Sequence, residues 1–170
     1  MSQSALLADT RFEPTLRDAA RHLTGGVSVI TAGRDDSLTG LTVSTAISFS
    51  IEPPIMLISV NKKSSGFTSI LKNGHFCVNI LASHQQDVAW RFSGADGIKG
   101  PDRYLGQSWT RLKTGALALD GALANIDCEV DDVVERYSHG LFFGAVRAVR
   151  VNDTTSPQLV YLRGSYGSYP

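Results

Sequence analysis

The sequence has little that favours a membrane, a nucleic acid or a secreted disulfide framework as its setting. It has two cysteines in 170 residues, and Lys+Arg equals Asp+Glu at 16 each, so the formal net charge is zero. A zero net charge provides no electrostatic attraction to nucleic acids or anionic membranes. The longest apolar runs, such as Ile55–Val60, are far too short to span a bilayer. The N-terminus has no basic region followed by a long apolar stretch, so we expect no secretory signal and a cytoplasmic location.

The sequence also lacks the short motifs of several common enzyme classes. It contains no G-x-G-x-x-G dinucleotide fingerprint, no phosphate-binding P-loop, no H-E-x-x-H motif and no G-x-S-x-G elbow. The histidines have no ligand-like pairing, and we predict no metal site from them: His22, His75, His84 and His139. Metal-dependent hydrolysis and serine hydrolysis are therefore poorly supported.

The two cysteines, Cys77 and Cys128, each lie within an apolar, strand-like run. Their spacing matches no zinc motif, and they form no C-x-x-C pair. The sequence predicts two buried, reduced thiols, because free cysteine is among the most buried residue types. A structural disulfide or a reactive thiol is the alternative.

Composition predicts one folded domain over residues 1–170. Hydrophobic residues are 42% of the chain and charged residues 19%, which supplies a core and argues against disorder. Helical spacing or a capping residue predicts three short helices: Pro14–Leu23, Gly66–Leu71 and Ser83–Phe92. Runs rich in β-branched residues predict seven strands: Val27–Ala32, Gly40–Ser50, Ile55–Val60, Phe76–Leu81, Leu123–Val134, Leu141–Val151 and Pro157–Leu162. We expect a long loop over Ser93–Gly106.

Several of these elements carry more detailed expectations. The first helix has apolar residues at amphipathic spacing, and Ser83 and Gln86 have the spacing of a capping box. The continuous apolar run Ile55–Val60 predicts a strand that is buried on both faces. The strands do not alternate regularly with helices, which favours an antiparallel sheet closed into a barrel.

Residues Asn61–Thr68 form a candidate anion site. The segment has two lysines and two serines, follows a predicted strand and opens a predicted helix with Ser64 or Ser65 as its N-cap. Backbone N–H groups at a helix N-terminus, hydroxyls and ammonium groups together suit a phosphate monoester. The alternative is a solvated turn with an ordinary cap.

A second candidate segment is Thr39–Ser48, which mixes hydroxyls with β-branched residues. Such a strand offers backbone donors and acceptors to a flat polar heterocycle, while apolar side chains cover the ring. The alternative is a half-buried strand whose Ser and Thr side chains face water. One predicted strand separates the two segments, so we expect them at the same end of the barrel.

Together with other parts of the sequence, these two segments resemble the flavin reductase-like family, the small reductase components of two-component flavin monooxygenases. The resemblance covers about residues 12–167. No single piece is specific, but the matching pieces follow the order of the family: Leu23–Thr31, Gly40–Thr45, Ser48–Pro54, Ser64–Ser65, Phe76–Leu81, Gln86–Phe92, His139–Val146 and Leu159–Tyr166.

The resemblance implies a fold, a reaction and partners. The implied fold is a split β-barrel, antiparallel and Greek-key-like, that binds flavin as a homodimer. The implied reaction is hydride transfer from NAD(P)H to FMN or FAD. We expect NADH over NADPH, because no evident basic cluster awaits a 2′-phosphate, with Arg163 as the one candidate for such a contact. Reduced flavin would then diffuse to a separate monooxygenase. FMN and FAD stay equally open.

The resemblance also implies site residues. Those matching the segment along the isoalloxazine ring are Gly40, Leu41, Thr42, Ser44 and Thr45. Those matching the segment from the ribityl chain to the phosphate are Ser59, Val60, Asn61, Lys62, Ser64 and Ser65. Two weaker flavin contacts are Ser93 and Gly94. Positions on the nicotinamide side are His139, Tyr161, Leu162, Arg163 and Gly164, with His139 positioning the nicotinamide.

Two other functions fit a barrel of this kind. One is a flavin-binding electron-transfer or carrier protein that does not oxidise NAD(P)H physiologically. The other is a barrel for a different phosphorylated heterocycle, such as a pyridoxal phosphate relative.

Hydride transfer needs orientation more than acid–base groups, because the cofactors carry the chemistry. The lack of an evident carboxylate pair or triad agrees with that reaction.

Overall fold

A computed structural model of the protein describes residues 15–152 and 155–170. Its helices are α1 (Leu16–Ala20), α2 (Ser65–Asn73) and α3 (Gln86–Phe92). Its first six strands are β1 (Gly25–Gly26), β2 (Ser28–Ala32), β3 (Thr39–Val43), β4 (Ile47–Ser50), β5 (Ile55–Asn61) and β6 (His75–Ile80). The other six are β7 (Trp109–Arg111), β8 (Leu117–Leu119), β9 (Ala124–Arg136), β10 (His139–Val151), β11 (Gln158–Leu162) and β12 (Ser165–Tyr169).

An antiparallel sheet of seven strands, in the order β3-β2-β6-β9-β10-β5-β4, forms the body of the fold. A three-stranded sheet, β1-β11-β12, and the hairpin β7-β8 accompany it. The prediction of a mainly β, antiparallel fold with a few short helices is confirmed. The expected closure is not, because β3 and β4 are the two edges of the large sheet and no pairing within the described residues joins them.

The break between β3 and β4 corrects the prediction of one strand over Gly40–Ser50. β3 pairs with β2, whereas β4 pairs with β5 at the other edge of the sheet. The chain therefore bends at residues 44–46 to pass from one edge to the other. This corner leaves the outer edge of β3 open to side chains from elsewhere in the chain.

Burial along β5 and β2 differs from the expectation. In β5, Met56, Ile58 and Val60 are buried while the residues between them are partly exposed, so the prediction of burial on both faces is wrong for this strand. β2 is the strand buried throughout its length. Its Ile30 packs in the core between the large sheet and α2, and its Val29 packs in a second core with α3.

Local predictions at the helices had mixed outcomes. α1 lies within the predicted helix but has no buried residue, and Leu16 is 85% exposed, so its apolar face is uncovered by the described residues. Pro14 lies outside the described residues. α3 begins at Gln86 and its N-cap residue Gln85 makes no side-chain cap hydrogen bond, so the predicted capping box of Ser83 and Gln86 is wrong; the Gln85 side chain instead accepts a hydrogen bond from the Ala82 N–H at 3.0 Å. α2 begins at Ser65 with Ser64 as its N-cap, as predicted.

Three further findings bear on the sequence predictions. Cys77 and Cys128 are both buried and free, which confirms the prediction, and burial raises the pKa of the Cys128 thiol to about 12. The hairpin β7-β8 and the strand β12 were not predicted. Among the described residues, no helix combines the length and the apolar character that crossing a membrane requires.

Candidate functional site

The N-terminus of α2 is built by local hydrogen bonds. The Ser64 hydroxyl donates to the Asn61 carbonyl at 2.7 Å and accepts from the Phe67 N–H at 3.2 Å. The Asn61 side chain accepts from the Lys63 N–H at 2.9 Å. Because a helix leaves its first N–H groups without intrahelical partners, the amides of Ser65 and Gly66 remain at the open end of α2.

β3 lies against this helix end at close range. A Cβ at Gly66 would lie 2.6 Å from Leu41 Cδ2, so a larger residue at this position would displace that methyl group from the helix end. The hydroxyls of Ser65 and Thr39 are 2.9 Å apart. The two candidate segments therefore meet, as the sequence predicted.

A cavity of about 800 Å³, which we call the basic cleft, opens at this junction. Its lining includes hydroxyls of the α2 N-terminus and of β3, namely Ser64, Ser65, Thr68 and Thr39. Four cations and one carboxylate also line it: Lys63, Lys72, Lys99, Arg103 and Asp36. Hydroxyls, free helix N–H groups and an excess of positive charge are the elements of an anion site.

Two side chains from the segment after α3 fix the edge of β3. The Arg103 guanidinium donates to the Gly40 carbonyl and to the Ile98 carbonyl, the latter at 3.1 Å. The Tyr104 hydroxyl donates to the Thr39 carbonyl at 2.6 Å. Burial lowers the pKa of Arg103 and raises that of Tyr104. Sequence reasoning missed both residues, which lie in the segment predicted as a loop.

A second cavity, the apolar cleft, has a volume of about 590 Å³. Its lining combines β3 and the following corner with α3 and the β11–β12 hairpin: Val27, Thr42, Val43, Ser44, Gln86, Trp90, Ser93, Tyr161, Gly164, Ser165 and Tyr166. The Trp90 indole donates to the Asp96 carboxylate at 2.9 Å, and the Tyr161 and Tyr166 rings meet edge to face at 5.3 Å. Aromatic walls and scattered hydroxyls suit a planar heterocycle.

The two clefts adjoin each other. Ser93 lines both, and β3 contributes Thr39 and Leu41 to the basic cleft but Thr42 and Val43 to the apolar one. The Thr42 hydroxyl donates to the Ala89 carbonyl at 2.6 Å, which fixes α3 against the strand. The arrangement can bind an elongated ligand with an anionic group at one end and a flat ring at the other.

The sequence model of the flavin reductase like domain family matches residues 20–170. The chain belongs to this family.

Named relatives agree with that assignment. The reductase subunit HsaB of a flavin-dependent monooxygenase from Mycobacterium tuberculosis is 35% identical over 153 residues, covering 89% of this chain and 80% of the relative. The FMN reductase (NADH) RutF of Methylorubrum extorquens is 32% identical over 154 residues, covering 91% and 75%. The crystal structure of BorF, the flavin reductase component of a bacterial two-component tryptophan halogenase, superposes with a TM-score of 0.84 at 30% identity, covering 91% of this chain and 96% of BorF.

Many residues assigned by the resemblance to flavin reductases line these cavities. The basic cleft contains Leu41, Ser64, Ser65 and Ser93. The apolar cleft contains Thr42, Ser44, Ser93, Tyr161 and Gly164. A third, adjoining cavity contains Ser44, Thr45, Tyr161, Arg163 and Gly164. Their roles toward a ligand stay predictions.

Other residues assigned by the same resemblance lie outside these three cavities. The Val60 side chain is buried in the core beside α2, and Gly40 is buried where a Cβ would collide with the Ile30 carbonyl and the Phe92 ring. The remaining residues do not line the three cavities: Ser59, Asn61, Lys62, Gly94, His139 and Leu162.

His139 and Lys62 lie close together outside the three cavities, since the Lys62 N–H donates to the Ser138 carbonyl at 2.9 Å. His139 is paired with Asn61 in the β10–β5 register, and its Nδ1 lies 2.9 Å from the Ser138 hydroxyl. Lys62 pairs with Glu135 at 3.2 Å, whereas Lys63 lines the basic cleft. The structure thus does not bring His139 into the same cavity as Tyr161 and Gly164.

Proposed function

We propose that this protein is an NADH-dependent flavin reductase that supplies reduced flavin to a separate monooxygenase. The observation that carries the proposal is the juxtaposition of a basic cleft and an aromatic, uncharged cleft across β3. A flavin phosphate matches both clefts, since a flexible ribityl chain joins its anionic phosphate to its planar ring. The family assignment supports the same function.

The phosphate end of the ligand fits the basic cleft. The hydroxyl of Ser65 and the ammonium group of Lys63 lie with the first-turn amides of α2, which can all donate to phosphate oxygens. Ser64 reinforces this end indirectly, because its hydroxyl caps the helix. We assign the nearby cation to Lys63 in place of Lys62, whose ammonium group is paired with Glu135.

The ring end fits the apolar cleft. A bound flavin would supply the electron-accepting ring that receives hydride from a dihydronicotinamide. Thr42 and Ser44 provide polar atoms along β3, while Trp90 and Tyr166 provide aromatic surface that excludes water from the rings. Within the described part of the chain, none of the residues lining this cleft carries an Asp, Glu, His, Lys or Arg side chain. The chain therefore contributes orientation here, and no proton needs to move for the hydride to pass.

The names of the relatives support NADH as the donor and a flavin as the acceptor. RutF is named an FMN reductase (NADH), and BorF and HsaB are named as reductase components of two-component systems. Both clefts open to solvent, which suits a flavin that enters and leaves as a substrate. The two free, buried thiols suit a reducing compartment, and we propose the cytoplasm.

A steady-state assay that crosses FMN, FAD and riboflavin with NADH and NADPH tests this function. We expect NADH oxidation to require added flavin, to saturate with it and to release reduced flavin that a second protein can use. A carrier protein would instead bind flavin without oxidising NADH. Tight flavin binding together with no NADH turnover would overturn the proposal in favour of that carrier function.

We also propose a homodimer. β4 is an edge strand of the large sheet, and its apolar side chains are exposed: Ile47 is 51% and Phe49 58% exposed, followed by Ile51 at 76%. Exposed edges and apolar patches are normally covered by a partner. Light scattering at micromolar concentration should return twice the chain mass, and a mass of 18.3 kDa would contradict the dimer.

A further inference from the structure

A third cavity, the arginine pocket, lies beside the apolar cleft and has a volume of about 450 Å³. It shares Ser44, Tyr161 and Gly164 with that cleft. Its other walls come from α1 and the residues that follow it, and from the tip of the β11–β12 hairpin. It is therefore continuous with the place where we put the reacting rings.

Three arginines line this pocket: Arg17, Arg21 and Arg163. No Asp or Glu is among its lining residues within the described parts of the chain. The chain as a whole has equal numbers of acidic and basic residues, so this local excess of positive charge is not a consequence of composition. Arg21 has an acidic neighbour outside this lining, because its charge helps to lower the pKa of the Asp18 carboxylate. Three guanidinium groups lining one cavity still leave an excess of positive charge that favours a bound anion.

The backbone holds two of these arginines at fixed positions. The Arg163 N–H donates to the Arg21 carbonyl at 2.9 Å, which joins the hairpin tip to the end of α1. Arg163 itself has a φ of 53°, a left-handed conformation that is unfavourable for a residue with a side chain. Such a conformation persists where the surrounding structure enforces it. The backbone at Arg21 and Arg163 is thus fixed, and both side chains line the pocket from there.

We propose that the arginine pocket binds the pyrophosphate of the nicotinamide dinucleotide, an inference that rests on the function proposed above. One ribose separates the nicotinamide ring from the pyrophosphate, so a ring in the apolar cleft places the pyrophosphate in the adjoining cavity. Arginine is suited to this group because its planar fork donates two parallel hydrogen bonds to phosphate oxygens. The pyrophosphate is common to NADH and NADPH, so this pocket contributes equally to both.

Single substitutions of Arg17, Arg21 and Arg163 by Gln test the assignment, with Arg111→Gln as a matched control on β7. Glutamine keeps the left-handed strain at position 163 unchanged because it too carries a Cβ. Each pocket variant should raise KM for NADH and for NADPH roughly tenfold, as expected when one charge-assisted hydrogen bond is lost. The kcat and the flavin KM should stay within about twofold, and the control should match the wild type. Added salt should raise the wild-type KM and have less effect on the triple variant.

Calorimetric titration with ADP, in the absence of flavin, gives a readout independent of turnover. We expect ADP to bind the wild type and to bind each pocket variant roughly tenfold more weakly, while adenosine binds all of them alike. An unchanged KM for both dinucleotides with unchanged ADP binding would overturn the assignment. A rise in KM for NADPH alone would assign the pocket to the 2′-phosphate of NADPH, and a raised flavin KM would assign it to the flavin phosphate. Either result would overturn the proposal. If the wild type oxidises no NADH, the proposed function fails, and ADP binding still decides the pocket.

Discussion

Removing the Ser65 hydroxyl tests the anion end of the proposed flavin site. Ser65 is exposed at the first turn of α2, lines the basic cleft and lies 2.9 Å from the Thr39 hydroxyl. The cap of the helix comes from Ser64, so it survives in Ser65→Ala. We therefore expect the free energy of unfolding to change by no more than about 0.5 kcal/mol, as for surface substitutions in general.

The expected loss of affinity follows from the charge on the phosphate. A hydrogen bond to a charged group contributes about 1.5–3 kcal/mol. Since 1.4 kcal/mol corresponds to a factor of ten, Ser65→Ala should weaken FMN binding by roughly ten- to a hundredfold. The Thr39 hydroxyl remains and can turn toward the same anion, which favours the lower end of this range. Riboflavin has no phosphate, so its affinity should change by less than about threefold.

Flavin fluorescence titrations of the wild type and Ser65→Ala with FMN and with riboflavin measure this difference. Ser168→Ala, an exposed serine on β12, is the matched control because it removes the same atom outside the basic cleft. The control should bind both ligands as the wild type does. An equal loss of FMN and riboflavin affinity in Ser65→Ala, or no loss of either, would refute the phosphate assignment.

Three further predictions follow from the site and the fold. His139 lies outside the three cavities, so His139→Ala should leave both flavin affinity and kcat/KM for NADH within about threefold, whereas a ten- to hundredfold fall in kcat/KM would support the nicotinamide-positioning role that the resemblance implies. Ser64→Ala should lose the cap on the Phe67 N–H and about 1 kcal/mol of stability, or roughly 2–4 °C in Tm, while Ser65→Ala should not. Burial and the nearby Arg34 lower the pKa of His75 in the folded protein. As the pH falls, the unfolded chain therefore binds a proton at His75 at a higher pH than the folded protein does. Stability should therefore fall as the pH drops below about 6.5 and do so less steeply in His75→Gln; parallel Tm profiles would contradict this.

The sequence was sufficient for the features that depend on local pattern. The serine–lysine segment after a buried strand predicted the capped N-terminus of α2, and the hydroxyl-rich strand predicted β3 beside it. Strand order along the chain was enough to place them at one end of the fold. These predictions rest on capping and periodicity, which neighbouring residues largely determine.

The features that the sequence did not predict depend on contacts between distant segments. Arg103 and Tyr104 lie in a Gly-rich segment with no periodic signal, yet their side chains donate to carbonyls of β3. The resemblance implies Lys62 as a flavin contact, and that role stays a prediction. The ion pair of Lys62 with Glu135 on β9, and the position of Lys63 in the basic cleft, depend on contacts that the sequence does not specify. The apolar spacing of α1 predicts an amphipathic helix, but periodicity does not specify whether another segment covers its apolar face. In the structure none of its residues is buried.

Anaerobic mixing of the purified protein with flavin and NADH tests the central claim most directly. We expect the flavin absorbance to bleach in a rapid, saturable phase, with one NADH oxidised for each flavin reduced, and NADH deuterated at the transferred position to slow that phase. Under the same conditions Ser65→Ala should bleach FMN more slowly at subsaturating FMN and riboflavin at the wild-type rate. Flavin that binds the protein but stays oxidised in the presence of NADH would contradict the account.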